Sequence, residues 1–232
     1  MGKTALTINF ALNSAANPDN HVTYLPAETG EESIIKRAIA ILGELPVNAM
    51  RNPNKYLSEY DKVQFAKTVD KLGKLPLHIE ELHDIREIRQ LARETRKANP
   101  TKRLLFIIDH LGHLNCGGKQ YASRTLEFED YCMQLKAIAK EYKVAVMLLS
   151  QLSREVEKRP NKRPMNSDLR DSGSIEQIAD LIAFLYRDNY YLKDGEKKPQ
   201  DVIEFIISKN RDGGVGTRFF EFIPNTNKVV EL

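Results

Sequence analysis

Gly2-Lys3-Thr4 stands at the head of the chain, and these residue types in this order could handle phosphate. They match the end of the pattern G-x-x-x-x-G-K-[ST], in which backbone N–H groups and a helix N-terminus cradle phosphate oxygens. There a lysine neutralises β/γ-phosphate charge and the hydroxyl after it binds Mg2+. The front half of the pattern does not precede the triplet, so by itself it reads equally well as a chance Met-Gly-Lys-Thr start. Asp109 ends the apolar run Leu104-Leu105-Phe106-Ile107-Ile108. A strand ending this way sets a carboxylate at the carboxyl edge of a sheet, where ligands of open α/β sheets bind. Beside a phosphate loop such an Asp holds Mg2+. With Lys3 and Thr4 in the same chain, that reading is preferred to a plain strand cap.

Further groups offer chemistry that local sequence leaves open. Glu28 comes just after the apolar run His21–Leu25. If that strand is parallel to its neighbours, Glu28 reaches the same edge as Asp109 and could orient or deprotonate an attacking water. Taken by itself it reads more simply as a solvated acid beside Glu31 and Glu32. Gln151 comes after Val144–Leu149 and Ser150; it could sense a γ-phosphate by hydrogen bond or merely cap the strand. Lys209 and Arg211 alternate in an extended segment and so face one side. Delivered across a subunit boundary, such a pair suits a γ-phosphate; otherwise it is a charged hairpin tip.

Asp168-Leu169-Arg170-Asp171-Ser172-Gly173-Ser174 reads as a loop running into a helix. Arg170 and the amides around Gly173 could hold successive phosphates of a nucleic-acid strand. The basic stretch Arg154, Lys158, Arg159, Lys162 and Arg163 precedes it, but Glu155 and Glu157 dilute that charge, so a solvated loop fits too. His110, His113 and Cys116 invite a metal reading but lack the fourth ligand of a closed zinc site. They read better as residues lining the end of the strand that carries Asp109.

These residues need a sheet to bring them together. Continuous apolar runs predict strands at His21–Leu25, Leu77–Ile79, Arg103–Ile108, Val144–Leu149, Asp180–Tyr186, Val202–Ser208 and Thr217–Ile223. Such runs fit strands covered on both faces. Helical spacing predicts helices over Glu31–Leu45, Tyr60–Leu72, Ile85–Ala98 and Phe128–Tyr142, with another pattern through Asn9, Phe10 and Ala11. Strands alternating with helices imply an α/β domain. Gly213, Gly214 and Gly216 between the last two strands predict a hairpin, so the sheet should end antiparallel. Long loops are expected at Gly112–Arg124, Leu152–Gly173 and Asn189–Gln200.

Composition narrows the class. With 41% hydrophobic and 29% charged residues in 232, the chain is neither disordered nor low-complexity. Its apolar runs fall far short of the roughly 20 residues of a membrane helix, and the N-terminus lacks a signal peptide's apolar stretch. Two cysteines, Cys116 and Cys132, give no disulfide framework and suit a reducing, cytoplasmic setting. A net charge of +3 permits nucleic-acid binding without demonstrating it.

Taken together, the motifs resemble the C-terminal motor domain of the hexameric replicative DNA helicases, the DnaB family, with a RecA-like P-loop fold. The most specific stretch is Leu149-Ser150-Gln151-Leu152-Ser153-Arg154, then Lys162 through Gln177, Ala179-Asp180, Phe184 through Asp188, and Ile207-Ser208-Lys209-Asn210-Arg211-Asp212-Gly213. The resemblance implies one RecA-like domain over 1–232, with a mostly parallel sheet flanked by helices and an antiparallel hairpin at its C-terminal end. It implies ATP and Mg2+ as ligands. Gly2, Lys3 and Thr4 resemble the end of the P-loop, Glu28 the catalytic glutamate and Asp109 the Mg2+-binding aspartate. Gln151 resembles the residue coupling γ-phosphate to the DNA loops. Lys209 and Arg211 resemble the cations inserted into the neighbouring subunit's site, and Arg170, Asp171 and Gly173 the loop that holds single-stranded DNA.

As partners the resemblance implies single-stranded DNA, further copies in a hexameric ring, a primase and a helicase loader, with no membrane. It also leads to the expectation that the family's first strand, the front of the P-loop and the N-terminal primase-binding domain are missing. A truncated, inactive DNA- or partner-binding fragment and another RecA-like ATPase are the competing readings. Glu28 has an unusual setting, between Pro26-Ala27 and Thr29. After Asp109, His110-Leu111-Gly112-His113 replaces the family's more usual Tyr-Leu-Gln. That swap is reminiscent of phage helicase–primases and points to a phage or prophage origin.

Overall fold

A computed structural model describes residues 2–169 and 173–232 of the chain. Two four-stranded sheets carry the fold. The first holds β1 (Asn20–Pro26), β2 (Leu77–Ile79), β3 (Arg103–Asp109) and β4 (Val144–Leu148), all parallel, in the order β2-β1-β3-β4. The second holds β5 (Leu181–Arg187), β6 (Val202–Asn210), β7 (Gly216–Ile223) and β8 (Lys228–Glu231), all antiparallel, in sequence order. The expected C-terminal hairpin is therefore β6 and β7 inside a larger sheet. The two sheets share no ladder among the described residues; β4 and β5 are each an edge.

Between the strands run α1 (Lys3–Ala15), α2 (Glu31–Gly43), the short α3 (Pro53–Tyr56), α4 (Glu59–Gly73), α5 (Ile85–Ala98), α6 (Arg124–Tyr142) and α7 (Gly173–Ile178). The parallel sheet is covered on both faces. Ile85, Ile88, Ala92, Phe128, Tyr131 and Leu135 pack with Phe106 and Ile108 on one side. Ile8, Ala11, Leu12, Ile34 and Ala38 pack with Val22, Tyr24 and Ile107 on the other. This double cover is why the strands are continuous apolar runs rather than alternating ones.

α1 is buried nearly all round because it serves both sheets. Ile8, Ala11 and Leu12 meet β1, while Ala5 meets Ile203 of β6 and Phe222 of β7. Asn9, also buried, ties the helix to the last strand. Its amide donates to Asn227 O at 3.0 Å, and its Oδ1 accepts the Val229 N–H at 3.1 Å. Full burial of an aliphatic side chain contributes about 1.5–3 kcal/mol, so Leu6, Ile8 and Leu12 anchor α1 by burial rather than by an N-terminal cap. Its N-terminus has none: Gly2 offers no capping side chain, and no acid lies in the first turn. By contrast α4, α5 and α6 are capped by Ser58, Asp84 and Ser123.

The loop expected at Leu152–Gly173 is more ordered than its composition suggests. It contains 3-10 turns at Arg154–Lys158 and Asn166–Asp168 and a bridge between Leu152 and Leu169.

Candidate functional site

Strand register builds the site. β1 pairs with β3 in parallel, and Pro26 stands opposite Asp109. Both strands therefore deliver the residues just beyond their ends to one carboxyl edge. The Asp109 carbonyl accepts the Ala27 N–H at 2.7 Å and the Glu28 N–H at 3.2 Å, which fixes Glu28 on that edge. β4 ends there too: Leu149 N–H donates to Ile108 O at 3.0 Å, and Leu111 N–H to Leu149 O at 2.9 Å. Ser150 and Gln151 come directly after.

α1 brings Lys3 to the same place. Its ammonium donates to Ser150 O at 3.2 Å. Burial lowers the Lys3 pKa, and the Asp109 and Glu28 carboxylates partly restore it. Gly2 precedes it with φ 101°, a left-handed conformation that glycine adopts without strain. So Gly2, Lys3, Thr4, Asp109, Glu28 and Gln151, widely spaced in sequence, meet at the carboxyl edge of the parallel sheet and the N-terminus of α1.

Asp109 is only 2% exposed. Tyr24, inside β1, donates its O–H to Asp109 Oδ2 at 3.1 Å, and its own oxygen lies 3.0 Å from Thr7 Oγ1 of α1. Burial first, and then the Asp109 charge, raise the Tyr24 pKa far above its ordinary value, so the phenol stays a donor. Sequence reasoning missed Tyr24 and Thr7, because a tyrosine in an apolar run reads as core. Thr4 and Asp109 offer only oxygen ligands, the donor chemistry Mg2+ takes.

His110 is buried, and burial lowers its pKa; Glu28 and Asp109 oppose that shift. Its Nε2 lies 3.0 Å from Glu28 Oε2 and 3.0 Å from the Gln151 side-chain amide. The His113 ring stacks edge-on at 4.7 Å between centroids. Glu28, His110 and His113 place ligand-type atoms within 4.8 Å of one another. Cys116 is not among them and faces Gln134. A cavity of about 430 Å3 opens beside this group, lined by His113, Arg124, Phe128 and Gln151 among others. A larger one, about 920 Å3, lies beyond Thr29 and Gly30 and is lined by none of Lys3, Thr4 or Asp109.

The segment after Gln151 is bonded to the base of the loop expected to meet a strand. Ser153 N–H donates to Asp168 O at 2.8 Å, and Leu152 bridges Leu169. Asp168, 5% exposed, is held by Arg159 at 2.5 Å and by the Met165 N–H at 2.9 Å. Arg170 and Asp171 lie outside the described residues; Gly173 heads α7.

Lys209 and Arg211 do face one side, but not toward Lys3. The Lys209 ammonium donates to Glu176 O. The Arg211 guanidinium donates to Gln177 O at 2.6 Å and to Asp180 Oδ1 at 3.0 Å. Within this chain both cations therefore hold the end of α7.

The family profile described as the DnaB-like helicase C terminal domain matches residues 1–231. The replicative DNA helicase DnaC of Bacillus subtilis (strain 168) is 39% identical over 234 aligned residues, covering 100% of this chain and 50% of that protein. The replicative DNA helicase DnaB of Geobacillus stearothermophilus is 37% identical with the same coverage. The chain thus spans about half the length of the curated relatives it matches. Among solved structures, one described as an ATPase domain superposes with a TM-score of 0.92 at 36% identity, covering 100% of this chain and 81% of that one. A DnaB-like replicative helicase, described with its interactions with primase, gives 0.93 at 37%, covering 100% and 55%. The expected RecA-like α/β core is borne out by these neighbours. On its sequence over nearly every residue, and on its fold, the chain belongs to the DnaB-like helicase C-terminal domain family.

Proposed function

We propose that this chain is the ATP-driven motor of a replicative DNA helicase, working as a hexameric ring on single-stranded DNA. The observation that carries the reading is the convergence of Lys3, Asp109, Glu28 and Gln151 on one sheet edge at the uncapped end of α1. Free N–H groups at that end and the Lys3 ammonium suit the phosphates of ATP. Thr4 and Asp109 would hold Mg2+, which when bound neutralises charge developing on the β- and γ-phosphates. Tyr24 keeps the Asp109 carboxylate oriented. Glu28 orients the attacking water and takes its proton.

Gln151 senses the γ-phosphate and passes its position through Leu152 and Ser153 to Asp168 and Leu169, next to Arg170. Arg170, Asp171 and Gly173 grip the strand backbone. Lys209 and Arg211 enter the next subunit's site. Primase, a loader, a cytoplasmic setting and a phage or prophage origin complete the proposal. Among the described residues no helix is long and apolar enough to cross a membrane.

Backbone tracking has a measurable signature. Binding of this chain to a single-stranded oligonucleotide should weaken with salt at a log–log slope of about −0.7 per phosphate contacted. Fluorescence anisotropy at a series of salt concentrations measures it. A flat response would count against a strand-holding role.

A further inference from the structure

His110 stands between two groups that the proposed mechanism uses, and its hydrogen bonds decide where its proton lies. The Gly112 N–H donates to His110 Nδ1 at 3.0 Å, so Nδ1 carries a lone pair and the ring proton sits on Nε2. Gly112 makes this close approach possible: a Cβ there would lie 2.8 Å from the ring's Cε1 and 3.0 Å from Nδ1. The Nε2–H then faces the Glu28 carboxylate at 3.0 Å and the Gln151 side-chain amide, whose nitrogen is placed 3.0 Å from it. An amide NH2 cannot accept from an N–H, and the two ends of an amide are assigned by their partners, so the oxygen of Gln151 is assigned to the side facing the ring. One imidazole N–H is thus shared by a carboxylate and an amide carbonyl.

We propose that His110 is a positioning residue that couples Gln151 to Glu28 through this shared Nε2–H. The inference rests on the reading of Glu28 and Gln151 given above. When Gln151 holds the ring, the N–H is divided between two acceptors and Glu28 is loosely held. When Gln151 leaves to meet another partner, the whole bond goes to Glu28 and fixes its carboxylate at the strand edge. The state of the γ-phosphate sensor is thereby transmitted to the base one hydrogen bond away. A metal ion on Glu28, His110 and His113 fits less well. A ligating histidine keeps its proton on the other nitrogen and donates it, and here that nitrogen already accepts from Gly112.

Nitrogen-15 NMR of the chain as it stands tests the coupling without requiring activity. The expected result is an Nε2–H tautomer for His110, with an Nε2 resonance that moves on Gln151→Ala and again on Glu28→Gln. An Nδ1–H tautomer, or a resonance indifferent to both replacements, overturns the proposal. So does a stoichiometric Zn2+ complex that shifts His110 and His113 together and is lost in His113→Ala.

Kinetics supply the second readout. His110→Leu should lower kcat for ATP about 10²-fold, the scale of a misplaced reacting group, with KM nearly unchanged. His110→Gln, which restores a side-chain N–H, should recover most of it. Equal losses in both variants would make the residue merely structural. If the unaltered chain hydrolyses no ATP, the motor reading fails for this chain, while the NMR result still decides the role of His110.

Discussion

Replacing Arg211 with alanine is expected to cut ATP hydrolysis in an assembled ring by about 10³-fold or more, the range of an arginine finger. Within its own chain Arg211 holds Asp180 and Gln177 O, but its side chain is 49% exposed. Exposed ion pairs contribute about 0–1 kcal/mol, whereas a 10³-fold rate change corresponds to about 4 kcal/mol. The internal contact is therefore easily exchanged for a phosphate in trans, and losing it cannot account for the expected defect.

Mixing distinguishes the two roles. Equal parts of Arg211→Ala and Glu28→Gln chains form rings in which about one interface in four has both groups intact. Hydrolysis should reappear at a corresponding fraction of the unaltered rate. Activity no higher than that of either variant alone would place Arg211 in its own chain's chemistry, against the proposed arrangement.

Glu28→Gln is expected to lower kcat by about 10²–10⁴-fold, the range for a lost general base, with little change in KM for ATP. The position of residue 28 survives the change, because its backbone N–H and that of Ala27 hold the Asp109 carbonyl. A glutamine oxygen also still accepts from His110. The change removes the charge that takes the proton. Single-turnover hydrolysis separates binding from chemistry; a variant that binds ATP poorly but turns it over normally would contradict the assigned role.

Much of this site was legible in the sequence because it depends on strand ends. The runs at His21–Leu25, Arg103–Ile108 and Val144–Leu149 are largely apolar and do not alternate, since helices cover both faces of their sheet. Once these strands run parallel, Asp109, Glu28 and Gln151 arrive at one edge as expected. The helix Ile85–Ala98 was legible for a different reason: its amphipathic spacing is local.

The hidden features depend on contacts between distant segments. Tyr24 belongs to the core pattern of β1, and nothing local marks it as a donor to Asp109. The link of His110 to Glu28 needs both strand ends in register. β8 is four residues, partly exposed, and held by Asn9 from the opposite end of the chain. The bridge and the two 3-10 turns between Gln151 and Arg170 lie in a stretch whose Arg, Lys, Pro and Asn read as a structureless loop. There a carboxylate at Asp168, which accepts from Arg159 and the Met165 N–H, organises the backbone beside the buried Val156 and Leu169.

ATP hydrolysis by this chain, measured with and without single-stranded DNA, tests the central claim most directly. The account predicts hydrolysis that rises when the strand is added and is lost in Glu28→Gln. A folded, ring-forming chain that hydrolyses no ATP, or does so indifferently to both the strand and Glu28→Gln, would contradict it.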